Sequence, residues 1–126
     1  MKIIQVRNKH DVPWKFTGVA EFHDGTKWWY VDGKIHRDND LPACEYANGT
    51  KQWWRNDKLH RENGPAVEYL DGSKSWYLNG KLHRADGPAI DWSDGTVEFW
   101  YEGVRYETFE DIQDILAPWG NFPWND

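Results

Sequence analysis

The chain has 126 residues, a length that fits one domain, and a formal net charge of −6 from 15 Lys and Arg against 21 Asp and Glu. The acid excess is spread along the sequence, which argues against the basic stripe of a nucleic-acid binder and the basic patch that anionic lipids attract. Only 39% of residues are apolar, yet there are 10 Trp, 6 Tyr and 5 Phe, so the expected core is a few large rings on thin sheets.

Cys44 is the single cysteine, so no intrachain disulfide can form, and the expected compartment is a reducing cytoplasm. The opening MKIIQVRNKHD returns to charge after a short apolar run and does not read as a signal peptide. No stretch approaches the roughly 18–20 apolar residues that span a bilayer.

Residues 1–17 precede a repeating pattern. Ile3, Ile4 and Val6 suit a short strand, and Val12-Pro13-Trp14 begins a bend. This segment is expected to cap the exposed edge of the first repeat. Residues 18–107 then hold four copies of one hairpin unit, seen most clearly at 64–86, GPAVEYLDGSKSWYLNGKLHRAD. Two strand-like runs, 66–70 and 73–78, are joined by Asp71-Gly72, and the second ends in Asn79-Gly80. Both turns are expected to be of type I′, with positive φ at both central residues. The first turn recurs at Gly25, Gly49, Gly72 and Gly95, and the second at Gly33, Asp57, Gly80 and Gly103. Steps of 24, 23 and 23 at both turns mark a repeat architecture.

Superimposing the units separates shared from variable positions. In the first strand, Ala20, Cys44, Val67 and Ile90 correspond, as do Phe22, Tyr46, Tyr69 and Trp92, and period-two geometry puts both sets on one face. Ala43, Ala66 and Ala89 fall on the other face with Glu21, Glu45, Glu68 and Asp91. In the second strand, Trp29, Trp53, Trp76 and Phe99 form one column, and Tyr30, Trp54, Tyr77 and Trp100 the opposite one. The fold expected is all-β: an elongated antiparallel meander of four hairpin repeats, forming one domain over 1–126. In residues 108–126, Thr108 is an N-cap, Glu110 and Asp111 fill the first turn, and Pro118 follows the end of a short helix. Phe109, Ile112, Ile115 and Leu116 share a face of that helix. An aromatic tail with Trp119, Phe122 and Trp124 comes after it.

The string Asn79-Gly80-Lys81-Leu82-His83, then Gly87, then Asp94-Gly95 before aromatics, resembles the MORN repeat, a β-hairpin motif. It is most similar to a variant reading WYxNGKxHRxxGPA, found in proteins of bacteriophages, large DNA viruses and some microbes, often with a short acidic helix at the end. The resemblance covers residues 18 to about 116. It implies the MORN-like hairpin fold and a binding role, and brings no catalytic activity and no cofactor with it.

Three histidines recur as His36, His60 and His83, each followed by an arginine. Equivalent positions in successive two-strand units lie roughly 9–10 Å apart, whereas zinc needs each imidazole nitrogen at about 2.0–2.1 Å. One ion cannot bridge them, so a structural role is expected and no metal site is assigned. Arg37, Arg61 and Arg84 are expected to pair with the repeated acids or to lie over neighbouring rings. The alternative is that these arginines form a ladder for a phosphate, nucleotide or sugar. Cys44 sits where its siblings are small and apolar, which suits burial rather than nucleophilic work. No Gly-rich phosphate loop or Ser-centred elbow is present, and the chain does not read as an enzyme.

Positions that differ between units are the better functional candidates. Trp28, Gln52, Ser75 and Glu98 form one such column, on the face of Tyr30, Trp54, Tyr77 and Trp100, and Val31, Arg55, Leu78 and Tyr101 form another. Large aromatics beside variable polar residues make a protein-binding surface, since Trp, Tyr and Arg dominate hot spots. The other reading is that this face is covered by the terminal segments or by a second copy. The tail with Trp119, Phe122 and Trp124 either caps the last strand edge or anchors a partner. The expected function is non-enzymatic binding of a host protein, which the viral resemblance extends to inhibition of a host defence factor. The alternatives are a small-ligand binder or a structural homo-oligomer module, with no direct nucleic-acid or membrane partner.

Overall fold

Short apolar and polar alternations between turn residues give fifteen strands and one α-helix in residues 1–117, the part of the chain that the computed structural model describes. The chain is all-β and elongated, and most of its strands follow one another across an 11-stranded meandering sheet, with two further two-stranded hairpins beside it. The first strands of the four units are β2 (Gly18–Phe22), β5 (Cys44–Glu45), β9 (Val67–Glu68) and β13 (Ile90–Asp91). Their partners are β3 (Lys27–Val31), β6 (Lys51–Gln52), β10 (Lys74–Ser75) and β14 (Val97–Tyr101). Each second strand also pairs with the first strand of the next unit, and this makes the sheet continuous.

Every unit has a third run that the two-strand expectation lacked. These runs are β4 (Lys34–Ile35), β8 (Lys58–Leu59), β12 (Lys81–Leu82) and β15 (Val104–Tyr106), each folded back by the second turn. In the middle units the second run is interrupted at Trp53 and Trp76, leaving β7 (Trp54–Arg55) and β11 (Tyr77–Leu78) in separate two-stranded hairpins. Trp53 marks a change of partner. Its N–H donates to Ala66 of the next unit, and its carbonyl accepts from His60 of its own third run. The two-residue hairpin and the main sheet then meet at that residue.

The two turns differ. Asp32-Gly33, Asn56-Asp57, Asn79-Gly80 and Glu102-Gly103 have positive φ at both positions, as type I′ turns require. At the first turns only the glycine is positive, Gly72 at 91° for example, and Asp71 keeps negative φ. The type I′ expectation is therefore corrected there. The Gly72 N–H donates to Tyr69 O, and Tyr69 N–H donates to Ser73 O, the pattern of a type I turn closed by a glycine bulge. Asp24, Asn48, Asp71 and Asp94 hold this turn by accepting from the N–H two residues on.

At the N-terminal end, β1 (Ile3–Val6) lies beside β2, and its direction is parallel: Ile3 sits opposite Val19 and Val6 opposite Phe22. Residues 7–17 connect the two strands, with a 3₁₀ turn at Lys9–Asp11. Val6 and Phe16 join Ala20 and Tyr30 in a buried cluster, with Ile4, Val12, Phe22, Trp28 and Ile35 packed against it. At the other end, α1 (Phe109–Leu116) is capped by Thr108, whose Oγ1 accepts from Asp111 N–H. Phe109 lies 6.1 Å from Phe99 between ring centroids, and Ile112 is fully buried. Ile115 and Leu116, expected on the same covered face, are exposed. Residues 118–126, with Trp119, Phe122 and Trp124, lie outside the described residues. No helix among those described is long and apolar enough to cross a membrane.

Gly18 lets β1 dock. Its φ is +144°, and a Cβ there would fall 2.3 Å from the Lys2 carbonyl oxygen. Gly18→Ala should displace β1 and lower stability by at least about 2 kcal/mol in chemical denaturation. An unchanged midpoint would rule out the β1–β2 contact as drawn.

Candidate functional site

Strand register decides which repeated residues share a face. Cα partners across the sheet run Ala20–Trp28–Cys44–Gln52–Val67–Ser75–Ile90–Glu98, a single row. The variable column of Trp28, Gln52, Ser75 and Glu98 therefore alternates with the small apolar column, and both belong to one aromatic face. Ala20, Cys44 and Val67 are buried there even though, among the described residues, no second sheet covers them. Large rings from the flanking positions close over them instead. Burial pushes the Cys44 thiol well above its usual range, which leaves it a packing residue.

How the rings close depends on the variable side chain. In the second unit, Tyr46 Oη and Trp54 Nε1 both donate to Gln52 Oε1, at 3.2 and 2.8 Å. In the fourth, Trp92 Nε1 and Trp100 Nε1 donate to the two oxygens of Glu98, at 3.1 and 3.0 Å. In the first, the hub is a ring: Trp28 meets Phe22 edge-on at 5.1 Å and Tyr46 at 6.4 Å. The third unit departs from this pattern. Ser75 is 4% exposed and too short to reach either ring. Among the described residues, the hydroxyls of Tyr69 and Tyr77 have no hydrogen-bond partner, and Tyr69 is 42% exposed. Burial raises the phenols of Tyr30 and Tyr46 to about 12, and it raises Tyr77 as well.

The candidate binding residues consequently divide. Tyr30 is buried under Phe16, 6.1 Å away, so the N-terminal segment covers its end of the face. Trp28, Gln52, Trp54, Tyr77, Glu98 and Trp100 are half-buried, and Ser75 offers almost no surface. Trp92, which was grouped with the scaffold, is 41% exposed and lies with Tyr69 on the open part of this face. Arg55, Leu78 and Tyr101 belong elsewhere, in the second hairpins. Arg55 approaches Glu62 at 3.7 Å, and the Tyr101 ring sits 4.4 Å from His83. Arg55 and Leu78 line equivalent grooves in successive units, one beside Trp53 and Arg61 and the next beside Trp76 and Arg84.

The opposite face joins the units. Arg37, Arg61 and Arg84 stack on Trp29, Trp53 and Trp76, with the guanidinium carbon 3.9, 3.9 and 4.0 Å from the ring centroids. Each Nη1 also donates to a proline carbonyl entering the next unit: Pro42 at 3.0 Å, Pro65 at 3.2 Å and Pro88 at 3.1 Å. Carboxylates complete the set, with Glu45 on Arg37, Glu68 and Asp40 on Arg61, and Asp86 on Arg84. Arg61 holds the Asp40 carboxyl below the usual carboxylate range. Gly64 and Gly87 leave room for this approach, since a Cβ would lie 3.2 Å from Arg61 Nη1 or 3.0 Å from Arg84 Cζ and the guanidinium would have to shift. The arginines thus face protein acceptors and protein rings, and free valence for a phosphate is small.

The histidines act across the same joints. Asn56, Asn79 and Glu102 each donate a backbone N–H to Nδ1 of His36, His60 and His83, at 3.1, 2.9 and 2.9 Å. Nδ1 is therefore the acceptor and the ring proton sits on Nε2, which meets Asp38 in the first unit and Glu62 in the second. Among the described residues, no three metal-capable side chains cluster. Turn hydroxyls add a further tie: Thr26, Thr50 and Ser73 accept N–H donations from Ala47, Leu70 and Ser93 of the next unit.

A lysine column was missed in the sequence. Lys27, Lys51 and Lys74 alternate with Glu21, Glu45, Glu68 and Asp91 in one row across the sheet, so no two like charges are cross-strand partners. The signal was present in the spacing, since these lysines recur with the period of the turns.

Glu98 offers a pH test. The Trp100 and Trp92 indoles hold its carboxyl below the ordinary value. Because the folded-state pKa is depressed, the Glu98 contribution is present above the ordinary value and is lost as pH falls through the folded one. In thermal melts, Glu98→Gln should flatten the loss of stability below about pH 4.5. An acid limb as steep as the wild type's would remove Glu98 from the account.

No protein-family model matches the chain, and no curated protein matches it. The roles assigned above therefore rest on the residues and their geometry.

Proposed function

We propose that this chain is a non-enzymatic protein-binding repeat module whose contact surface is the aromatic face of the third and fourth units. The supporting observation is an asymmetry along that face. At the first unit the chain's own N-terminal segment covers the rings, whereas Tyr69 and Trp92 are 42% and 41% exposed beside half-buried Tyr77 and Trp100. Tyrosine hydroxyls without hydrogen-bond partners among the described residues, on rings that cost little entropy to immobilise, suit a desolvated contact with another protein. The hub position sets specificity indirectly, because Gln52, Ser75 and Glu98 determine which rings are held down. The arginine ladder belongs to the scaffold in this reading, which ranks a small-ligand role below protein binding.

The resemblance of the Asn-Gly-Lys-Leu-His-Arg and Gly-Pro-Ala strings to MORN-like repeats of phage and large-virus proteins extends the reading. On that basis the chain is a virus-encoded accessory protein that acts in the host cytoplasm by binding and inhibiting a host factor, a defence component above all. The test is affinity capture from host lysate with the wild type and a Tyr69→Ser, Trp92→Ser double variant. The wild type should retain a specific protein that the variant loses by at least about tenfold, the scale of a hot-spot pair, with both proteins melting cooperatively. Equal recovery by both, or no specific partner for either, would sink the proposal.

A further inference from the structure

A second lysine column runs along the second turns, and it is built differently from the one that alternates with acids. The carbonyls of Phe16, Ile35, Leu59 and Leu82 accept, in that order, the N–H of Gly33, Asp57, Gly80 and Gly103 in the next turn along the array. The residue before each acceptor is Lys15, Lys34, Lys58 or Lys81. The four lysines therefore hold one station in successive units, the N-terminal segment supplying the first, and stand roughly 9–10 Å apart. Their stems rest on the following turn. A Cβ at Gly80 would meet the Lys58 stem at 3.8 Å, and one at Gly103 the Lys81 stem at 3.6 Å. In the fourth unit the station passes to Val104, and the column stops.

All four lysines are exposed, and among the described residues none of their ammonium groups lies in an ion pair. Asp32 and Asp57 belong to the same turns without reaching them, and one Asp57 oxygen accepts from Ile35 N–H. Lys15 lies over the Trp14 ring at 4.8 Å, and Trp14 itself is 87% exposed. In the second unit Lys58 has Arg55 as its direct cross-strand partner. Like charges opposed in this way cost stability. The scaffold does not require them, since the equivalent pairs are Val31 with Lys34 and Leu78 with Lys81. A local rule broken without structural gain is what a functional position imposes.

We propose that this strip binds an extended acidic segment of a polypeptide, with a carboxylate at every third residue. An extended chain rises about 3.3 Å per residue, so three residues match one unit. Successive carboxylates then meet Lys15, Lys34, Lys58 with Arg55, and Lys81. Val31 and Leu78, the cross-strand partners of Lys34 and Lys81, give the methylene stems of glutamate an apolar floor. A long polyanion or an anionic lipid surface fits less well. Either would extend past the strip and meet the acid excess of a chain whose net charge is −6. A short segment stays within a Debye length, about 8 Å at physiological salt, of the lysines themselves. By period two the strip lies on the side of the second hairpins opposite Trp54 and Tyr77, so its test does not depend on the aromatic contact surface.

The probe is a fluorescein-labelled peptide of about ten residues, with glutamate at every third position and serine and glycine between, read by anisotropy. The full chain should bind it saturably, and the affinity should fall as salt rises. A peptide of the same composition with its glutamates contiguous should bind at least about threefold more weakly, because only one carboxylate can then reach each lysine station. Methionine keeps a lysine-like stem and removes the charge. A Lys58→Met, Lys81→Met double variant should lose about tenfold in affinity, the product of two exposed ion pairs, without a lower denaturation midpoint. A Lys27→Met, Lys51→Met double variant, in the row that alternates with acids, removes the same charge and should stay within about twofold of the wild type. No binding, equal affinity for the two peptides, or equal loss in the two double variants would overturn the proposal. Tighter binding of an oligodeoxythymidylate of equal charge, or of phosphatidylserine vesicles, would overturn it equally by making the strip a general polyanion surface.

Discussion

Among the described residues the sheet has no second layer, so it must find its core within its own thickness, and the arginine resting on a tryptophan is what makes that possible. Arg37, Arg61 and Arg84 each lie about one ring thickness above Trp29, Trp53 or Trp76 and reach into the entry strand of the next unit. The guanidinium covers apolar surface with its plane and satisfies buried carbonyls with its edge. The Gly-Pro-Ala string follows from this. Glycine leaves room for the cation at Gly64 and Gly87, proline presents a carbonyl whose chain is already extended, and the alanine carbonyl accepts the tryptophan N–H of the preceding strand. Histidine and hydroxyl ties then lock the two turns of each unit to those of its neighbour.

Such an arrangement commits one face to assembly and leaves the other free to vary. On the aromatic face a single position per unit governs ring placement, because glutamine or glutamate can hold two indole or phenol donors and serine holds none. One residue change per unit can therefore loosen or fix two aromatic side chains without touching the joints. The ends of the array obey the same chemistry. Where Glu107 replaces arginine, Phe109 from α1 supplies the cover for Phe99, and the charge of that end inverts.

Much of this was legible from period and turn chemistry. The four units, their second turns, the Thr108 cap and burial of Cys44 all follow from repeated spacing and local propensity. What escaped was whatever depends on register between strands. The lysine row has a visible period, but its place opposite the acids is fixed only when the β5, β6 and β9 partners are known. The same ignorance hid the interleaving of Val67 and Ile90 with Ser75, and so the burial of a residue that the sequence put at the contact surface. The first turns were misread because Asp-Gly serves two turn types, and the asparagine-like cap that Asp71 makes on Ser73 N–H decides between them. Ile115 and Leu116 share a helical face with Ile112 in sequence, yet among the described residues of α1 it is Phe109 and Ile112 that pack inward while Ile115 and Leu116 stay exposed.

The joint between units is most directly probed by a double-mutant cycle on Trp53 and Arg61, with Trp53→Leu, Arg61→Met and the pair compared by chemical denaturation. A ring and a cation that act as one unit should give a coupling of about 1 kcal/mol or more, whereas Trp53→Leu with Arg84→Met, one joint away, should be additive within about 0.5 kcal/mol. Additivity of Trp53 with Arg61 would contradict the clamp as the constraint that holds the array together.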